Sequence, residues 1–137
     1  MKSLLLHCKE FGAEFDSFAD RPKGIEPENL TEQKWKSSKC LVVLITVEKG
    51  DDIENISIKL AKEIKDTLND FGEKNIILAP FAHLSSNLEN FEESKNFFDL
   101  LEKELNNFSV TRIHFGSHKS LLLDIFGHVG NVRFREF

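Results

Sequence analysis

The sequence predicts an α/β fold, a single domain in which a mixed β-sheet has helices packed on it. Residues 40–47 (CLVVLITV) form a continuous, largely β-branched apolar run, which is typical of a central strand buried on both faces. Residues 56–71 and 91–108 place apolar side chains at helical spacing with charged side chains between them. The chain has 137 residues, which is enough for one domain with its own core and too few for two.

The first part of the chain is predicted to hold strands followed by a long loop. Ser3–Cys8 is a short apolar run and Phe11–Phe15 alternates, so together they indicate a hairpin or a bent pair of strands. Residues 20–39, with Arg21 and Pro22 near their start, are rich in proline, lysine and serine. This composition favours a loop that leaves the sheet and returns to it.

A helix and a second buried strand follow the central strand. Asp51 and Asp52 precede the helical pattern of residues 56–71 and can cap it, and Gly72 ends it. Asn75–Ala79 is again apolar and β-branched, and a proline stops it.

The last third of the chain is predicted to add one helix and three strands. The helical pattern covers Phe91–Phe108. The strands are predicted over Ser109–Phe115, Ser120–Phe126 and Val132–Phe137, separated by glycine-containing turns. Strands and helices in this order favour a mixed sheet with helices on a face.

Charge is distributed unevenly along a chain whose net charge is −5. Residues 51–108 carry 6 basic and 13 acidic side chains, which indicates a solvated helix surface. Residues 109–137 carry 4 basic and 2 acidic side chains and three histidines. Because neutralisation of phosphates dominates nucleic-acid affinity, an acidic chain is not a general nucleic-acid binder. A local basic face could still contact one nucleic-acid end.

The sequence indicates a cytoplasmic protein. No apolar run reaches the roughly 20 residues of a membrane helix, and the apolar stretch at the N-terminus is too short for a signal peptide. Cys8 and Cys40 both lie inside apolar runs, which favours buried free thiols in a reducing compartment over a disulfide.

Several kinds of chemistry are excluded or disfavoured. The chain has 13 Phe and no Tyr, so a mechanism that needs a phenol is excluded. The spacing of His and Cys matches no common metal-binding pattern, and there is no P-loop, dinucleotide fingerprint or nucleophile elbow. Cys8 has His7 beside it, but neighbouring strand residues point to opposite faces, which disfavours the pair as nucleophile and base.

Two segments are candidates for a functional site. Pro80–Ser86 (PFAHLSS) directly follows a predicted buried strand, where polar groups in open α/β sheets often contact ligands. The alternative is a packed His83 and a helix N-cap by Ser85 or Ser86. Gly116–Lys119 lies between two predicted strands and could aim one positive charge at a developing oxyanion. The alternative is a hairpin turn with a solvated lysine.

Five segments together resemble the N-terminal editing domain of archaeal-type threonyl-tRNA synthetase. They come in the family's order over nearly the whole chain, and the most specific of them is the PFAHLSS segment. The five are Leu4–His7, Ile45–Lys49, Pro80–Ser86, Phe115-Gly116 with Lys119, and Gly127-His128. The resemblance implies a fold similar to that of D-aminoacyl-tRNA deacylases, with residues 1–137 forming one editing domain.

The resemblance implies hydrolysis of L-seryl-tRNA(Thr), which removes serine mistakenly attached to threonine's tRNA. Serine is threonine minus one methyl group, and such a difference gives a binding pocket only about 1–3 kcal/mol of discrimination. A second site that admits serine and clashes with the threonine methyl supplies the rest. The implied partners are the 3′ end of tRNA(Thr) carrying serine, the remainder of the synthetase in cis or in trans, and a second copy in a homodimer, with no membrane involved.

The family's site residues are carried over by motif. Lys119 stands where the family has its catalytically important lysine, and His83 stands where it has an active-site histidine. The family's scheme uses the substrate's ribose 2′-hydroxyl and a bound water, without a metal or other cofactor, so Lys119 would anchor and polarise rather than attack. The implied substrate-binding residues are Val47, Pro80, Phe81, Ala82, Phe115, Gly116 and His118.

The chain departs from the family pattern at two places, which keeps other interpretations open. Ser117-His118 stand where the family commonly has Tyr-Tyr. After Gly127-His128 the family commonly has proline and then an active-site glutamate, whereas Val129 follows here and the glutamate position falls near Val132, with Glu136 close by. The alternatives are a non-catalytic module that docks tRNA or contacts a subunit, and a D-aminoacyl-tRNA deacylase acting in trans.

Overall fold

The computed structural model describes residues 1–20 and 23–137. Arg21 and Pro22, which the sequence assigns to the start of the long loop, lie outside the described residues. The described elements are β1 (Lys2–Phe18), β2 (Lys34–Ser37), β3 (Cys40–Thr46), α1 (Ile53–Phe71), β4 (Asn75–Pro80), α2 (Phe91–Glu104), β5 (Ser109–Arg112), β6 (Ser117–Ile125) and β7 (Val132–Glu136).

Strand β1 lies at the centre of the sheet. Its first half pairs antiparallel with β3 on one side and β7 on the other, and its second half pairs antiparallel with β2 and β6. The register against β6 shifts between Cys8 and Glu10 and between Phe15 and Ser17. The predicted hairpin or strand pair is therefore wrong, because the chain continues as one 17-residue strand. Irregularities of the β-bulge type occur where the apolar pattern is interrupted, and they do not end the strand.

Strand β3 is buried along its whole length, as the sequence predicts. It pairs antiparallel with β1 and parallel with β4, and β4 in turn pairs parallel with β5. The sheet order is β2-β1-β3-β4-β5, with β6 and β7 also paired to β1, so the sheet is mixed. Because β3 and β4 run in the same direction, their carboxyl ends meet at one edge of the sheet.

Both helices pack on one face of the sheet, which confirms the predicted fold class. Side chains that alternate along β3 and β4 belong to two core clusters. The cluster beneath α1 and α2 includes Leu41, Val43, Ile45, Ile76 and Leu78. The cluster on the other face, enclosed by the bent β1 with β2 and β6, includes Val42, Leu44, Ile77 and Ala79.

The helix ends follow local capping chemistry. Helix α1 begins after Asp52, whose carboxylate accepts a backbone N–H of the first turn, and ends at Gly72 with φ 65°, as predicted. Helix α2 begins after Asn90, which caps it in the same way. It ends at Glu104, because residues 105–108 close into a turn instead of continuing the predicted helix. No helix of the described ranges has the length and apolar character to cross a membrane.

The strands near the C-terminus are displaced from their predicted positions. Strand β5 ends three residues earlier than predicted, at Arg112, and β6 begins three residues earlier, at Ser117. Gly116 lies between them with φ 101°, a conformation that interrupts a strand. Lys119 therefore lies within β6, opposite Phe15 of β1, and not in a hairpin turn.

The predicted long loop contains a strand that the sequence pattern does not reveal. Strand β2 pairs with Phe11–Glu14 of β1, and Trp35 within it is buried against the second core cluster. Three of the four residues of β2 are lysine or serine, so the apolar pattern is reduced to one tryptophan.

Candidate functional site

A cavity of about 400 Å³ opens at the carboxyl ends of β3 and β4. This is the edge where ligands bind in open α/β sheets, and the volume falls within the roughly 300–1,000 Å³ of small-molecule sites. The structure brings together on its wall every residue that the sequence assigns to the site. These are Lys119, His83, Val47, Pro80, Phe81, Ala82, Phe115, Gly116 and His118.

Residues 80–83 are held against the end of β3 by hydrogen bonds. The backbone N–H of Phe81 donates to the carbonyl of Ile45 at 2.9 Å, and the Thr46 hydroxyl donates to the carbonyl of Phe81. His83 is exposed, with its ring edge-on to Phe81 at 4.9 Å between ring centroids. The interpretation in which His83 is packed in the core is therefore wrong.

The rest of this segment is tied to the residues that follow β3. The Ser85 hydroxyl donates to Glu48 Oε2 at 2.6 Å, and the backbone N–H of Glu89 donates to the carbonyl of Val47 at 3.0 Å. The bond from Ser85, together with the neighbouring N-terminal ammonium, lowers the pKa of Glu48. The helix cap is Asn90, so the interpretation in which a serine of this segment caps α2 is wrong.

The acidic residue on the cavity wall is one that the sequence analysis missed. Among the described residues of the cavity wall, Glu89 is the one that carries a carboxylate. It lies in a polar stretch before α2, where nothing in the sequence distinguishes it from a solvated glutamate. The positions considered for the family's glutamate lie elsewhere: Val132 is opposite Leu6 and Glu136 is opposite Lys2, both in β7 and neither on the cavity wall.

The long loop packs over the turn between β5 and β6. The backbone N–H of Ala19 donates to the carbonyl of Gly116 at 2.9 Å, and that of Glu28 donates to the carbonyl of Phe115 at 3.2 Å. A Cβ at Gly116 would lie 2.9 Å from both Cα and Cβ of Pro27. With φ also positive, only glycine fits here, and the close approach allows the loop to form part of the cavity wall.

Lys119 is a half-buried lysine whose ammonium is fully bonded within the protein. Nζ donates to the carbonyl of His114 and to the carbonyl of Ser117, both at 2.9 Å, and to Ser117 Oγ at 3.0 Å. Burial lowers the pKa of Lys119 to about 8, against the opposing effect of the nearby Glu28 carboxylate. The interpretation of Lys119 as a solvated surface lysine is therefore wrong.

His114 is a second group that the sequence analysis did not single out. It is buried, with Nδ1 2.8 Å from Ser117 Oγ and Nε2 2.7 Å from the carbonyl oxygen of Glu28. The Glu28 carboxylate in turn accepts the backbone N–H of Phe115 at 3.0 Å and contacts Arg112 at 2.9 Å. The only signal in the sequence is a histidine near the end of the predicted strand Ser109–Phe115, which is not specific.

His128, in the segment Gly127-His128, lies away from the cavity. Its Nε2 is 2.7 Å from Nδ1 of His7, whose Nε2 is 3.1 Å from the Glu73 carboxylate. The His7 ring stacks on Phe71 at 4.6 Å between centroids. These contacts tie β1, the end of α1 and the turn before β7 together, which is a structural arrangement.

The two cysteines are free, buried and opposite each other on β1 and β3. Burial raises the pKa of Cys8 to about 12 and that of Cys40 to about 11, so both thiols stay protonated at neutral pH and are poor nucleophiles. Over residues 1–20 and 23–137, no group of three or more His, Cys, Asp or Glu side chains is arranged to hold a metal ion.

Comparison with known proteins adds a family match to this geometry. A family model described as the Archaea-specific editing domain of threonyl-tRNA synthetase matches residues 1–136.

Curated threonine–tRNA ligases are similar to the same region. The identity is 34% over 131 residues for Methanococcus vannielii, 35% over 132 residues for Staphylothermus marinus and 34% over 134 residues for Methanosphaera stadtmanae. Each similarity covers 93% of this chain and 20–21% of the relative. The chain therefore spans about a fifth of the length of these relatives.

Proposed function

Because the chain belongs to the family of archaeal editing domains of threonyl-tRNA synthetase, we propose that it hydrolyses L-seryl-tRNA(Thr) to serine and free tRNA. The observation that carries this proposal is the Lys119 ammonium, half-buried on the wall of a cavity at the carboxyl ends of parallel strands. Burial of a charged lysine is unfavourable, which calls for a compensating role. On a cavity wall, an ammonium can stabilise the negative charge that develops on a bound substrate in the transition state.

The proposed reaction is ester hydrolysis. A water molecule adds to the carbonyl carbon of the seryl ester, and the carbonyl oxygen takes up negative charge. Collapse of this tetrahedral intermediate re-forms the carbonyl and breaks the bond to the ribose 3′-oxygen, which takes the proton that the water has given up. The substrate's 2′-hydroxyl, beside the leaving oxygen, orients the water and passes on the proton. Lys119 helps to position that water and stabilises the oxyanion, a contribution worth about 10²–10³ in rate for one donor.

The cavity wall offers a basis for selection between serine and threonine. Val47, Ala82 and Phe115, three residues with apolar side chains, line the same space. We propose that these residues leave room for the seryl side chain and none for the additional methyl group of threonine. Steric exclusion in a second site adds to the discrimination of about 1–3 kcal/mol that one methylene gives in the first.

The proposal extends to partners. Since the relatives are threonine–tRNA ligases of which this chain matches about a fifth, the remainder of such a ligase is proposed to charge tRNA(Thr), in cis or in trans. The tRNA 3′ end carrying serine is then the substrate of the cavity. A cytoplasmic location follows from this role in translation.

The test of the substrate is single-turnover deacylation by the chain, with and without a chelator. We expect hydrolysis of L-seryl-tRNA(Thr), sparing of L-threonyl-tRNA(Thr) and no effect of chelation. Comparable rates on both substrates would overturn the proofreading role. Preference for a D-aminoacyl-tRNA would indicate a deacylase acting in trans, and tRNA binding without hydrolysis would indicate a non-catalytic docking module.

The test of the site is Lys119→Met, which keeps the alkyl stem and removes the charge. We expect folding to survive, as judged by circular dichroism, and deacylation to fall by about 10²–10³. Lys65→Met, at an exposed position of α1, is the matched control and should keep the full rate. His118→Ala should cost less than Lys119→Met. If folded Lys119→Met keeps more than about half of the rate, the assignment of Lys119 as an oxyanion donor is wrong.

A further inference from the structure

We propose that His114 and Ser117 are positioning residues that hold the Lys119 ammonium on the cavity wall in its charged form. His114 fixes the direction of the Ser117 hydroxyl, and the oxygen of that hydroxyl accepts a hydrogen bond from Lys119. The consequence for the deacylation rate rests on the proposed function, whereas the arrangement of hydrogen bonds does not.

The positions of the protons follow from the acceptors. His114 Nε2 lies 2.7 Å from the carbonyl oxygen of Glu28, which can only accept, so Nε2 carries a hydrogen. In a neutral imidazole Nδ1 is then an acceptor, and it lies 2.8 Å from Ser117 Oγ. The Ser117 hydroxyl therefore donates to His114, and its lone pairs face Lys119 Nζ at 3.0 Å. An imidazolium would instead place a second positive charge against the ammonium across one hydroxyl oxygen.

Ser117 Oγ differs from the other two acceptors of Lys119. An ammonium has three N–H groups, and the backbone carbonyls of His114 and Ser117 take two of them. These carbonyls are fixed by the turn between β5 and β6. The third acceptor is a side-chain hydroxyl, so of the three it is the one that a substrate oxygen can replace and that a substitution can remove without changing the backbone.

The charges around Lys119 make this third bond significant. Glu28 from the long loop favours the ammonium, whereas burial opposes it more strongly. Among the described residues, the other titratable groups that share the wall are His118 on β6 and, on the segment after β4, His83 and Glu89. With burial already lowering the pKa of Lys119 to about 8, loss of an acceptor lowers it further, so that a larger fraction of the lysine is uncharged at neutral pH.

The variants Ser117→Ala and Ser117→Thr distinguish the effect of losing the Ser117 hydroxyl from the effect of changing a residue in strand β6. Both are made in the full chain, and threonine restores the hydroxyl at a half-buried strand position that tolerates β-branched residues. The pKa of Lys119 is measured by NMR titration of its side-chain resonances, which Lys119→Met assigns by their disappearance. We expect the pKa to fall by about one unit in Ser117→Ala, the size of effect of one hydrogen bond to a charged group, and to stay at the wild-type value in Ser117→Thr.

Nitrogen chemical shifts of His114 provide a second measurement that needs no substrate. We expect the tautomer with hydrogen on Nε2 and none on Nδ1. A hydrogen on Nδ1, or an unchanged Lys119 pKa in Ser117→Ala, would overturn the proposal.

The kinetic measurement distinguishes positioning from a structural role. In single-turnover deacylation of seryl-tRNA, we expect the rate of Ser117→Ala to decline at a lower pH than that of the wild type, by the same shift as the Lys119 pKa. The enzyme concentration that gives half of the maximal rate should be unchanged. A uniform loss at every pH without a shift contradicts positioning. If the wild type hydrolyses no aminoacyl-tRNA, the proposed function fails, and the NMR measurements still decide whether His114 and Ser117 hold Lys119.

Discussion

At the scale of single residues, Lys119 changes its charge within the pH range where deacylation can be measured. Burial lowers its pKa to about 8, and the proposed role requires the ammonium. We therefore expect the catalysed rate to fall as the pH rises through about 8, after subtraction of the uncatalysed hydrolysis, which hydroxide accelerates. The measurement is a pH profile of single-turnover deacylation for wild type and Lys119→Met, with the decline absent from the variant. A catalysed rate that rises through this pH would indicate that the free amine acts as a base.

The same lysine reduces stability at neutral pH. Its pKa is lower in the folded chain than the ordinary value of 10.5, so the unfolded chain binds the proton more tightly. The cost is therefore fully present below pH 8 and is relieved as the pH rises from about 8 towards 10.5. A group that costs stability and lies on a cavity wall is better explained by function than by folding.

At the scale of elements, the turn between β5 and β6 depends on glycine. Gly116→Ala meets both a positive φ and a Cβ 2.9 Å from the backbone of Pro27, whereas Gly50→Ala meets a positive φ with nothing within 4 Å. We expect Gly50→Ala to cost about 1–2 kcal/mol of unfolding free energy and Gly116→Ala about 1–3 kcal/mol more. Urea denaturation of both variants measures the difference. Equal losses would show that the long loop yields to the added methyl group and does not hold the turn.

The predictability of each element depends on whether its pattern is local. Strand β3 was predictable from its uninterrupted apolar run, and the ends of helix α1 were predictable from Asp52 and Gly72. Each of these signals depends only on residues that are neighbours in the sequence. Strand β1 was not, because its continuation past Cys8 depends on pairing with β6, more than a hundred residues later. Strand β2 was not predictable for a similar reason, since its one buried side chain packs against elements distant in the sequence.

At the scale of the whole molecule, the cavity forms from segments that only the topology brings together. Residues that follow a recognisable motif, such as Lys119 and His83, could be named in advance. Glu89 and His114 could not, because only the parallel β3 and β4 and the long loop bring a glutamate before a helix to the cavity wall and a histidine after a strand next to Ser117 and Glu28. The sequence motifs therefore named residues that line one cavity, with the exception of His128, and did not name Glu89 or His114; the roles of all these residues stay predictions.

Association of two copies is also a property of the whole molecule, and a homodimer stays a prediction. Within the described residues, β7 pairs only with β1, so its other edge presents unpaired backbone groups. Arg133 and Arg135 bond to α1 on one face, while Val132 and Phe134, 46% and 50% exposed, project from the other. An exposed apolar pair on an open edge strand favours burial against a second copy.

The prediction is tested by Phe134→Lys, which places a charge on this face without touching the core. Light scattering at working concentration should give a dimer mass for the wild type and a monomer mass for Phe134→Lys. The matched control is Ile58→Lys on α1, because Ile58 is 54% exposed and α1 lies against the face of β7 opposite Val132 and Phe134; this variant should stay dimeric. A monomer mass for the wild type rejects the dimer. A dimer mass for Phe134→Lys places the interface on another surface, because a buried lysine without a partner would cost more than the contact it replaced.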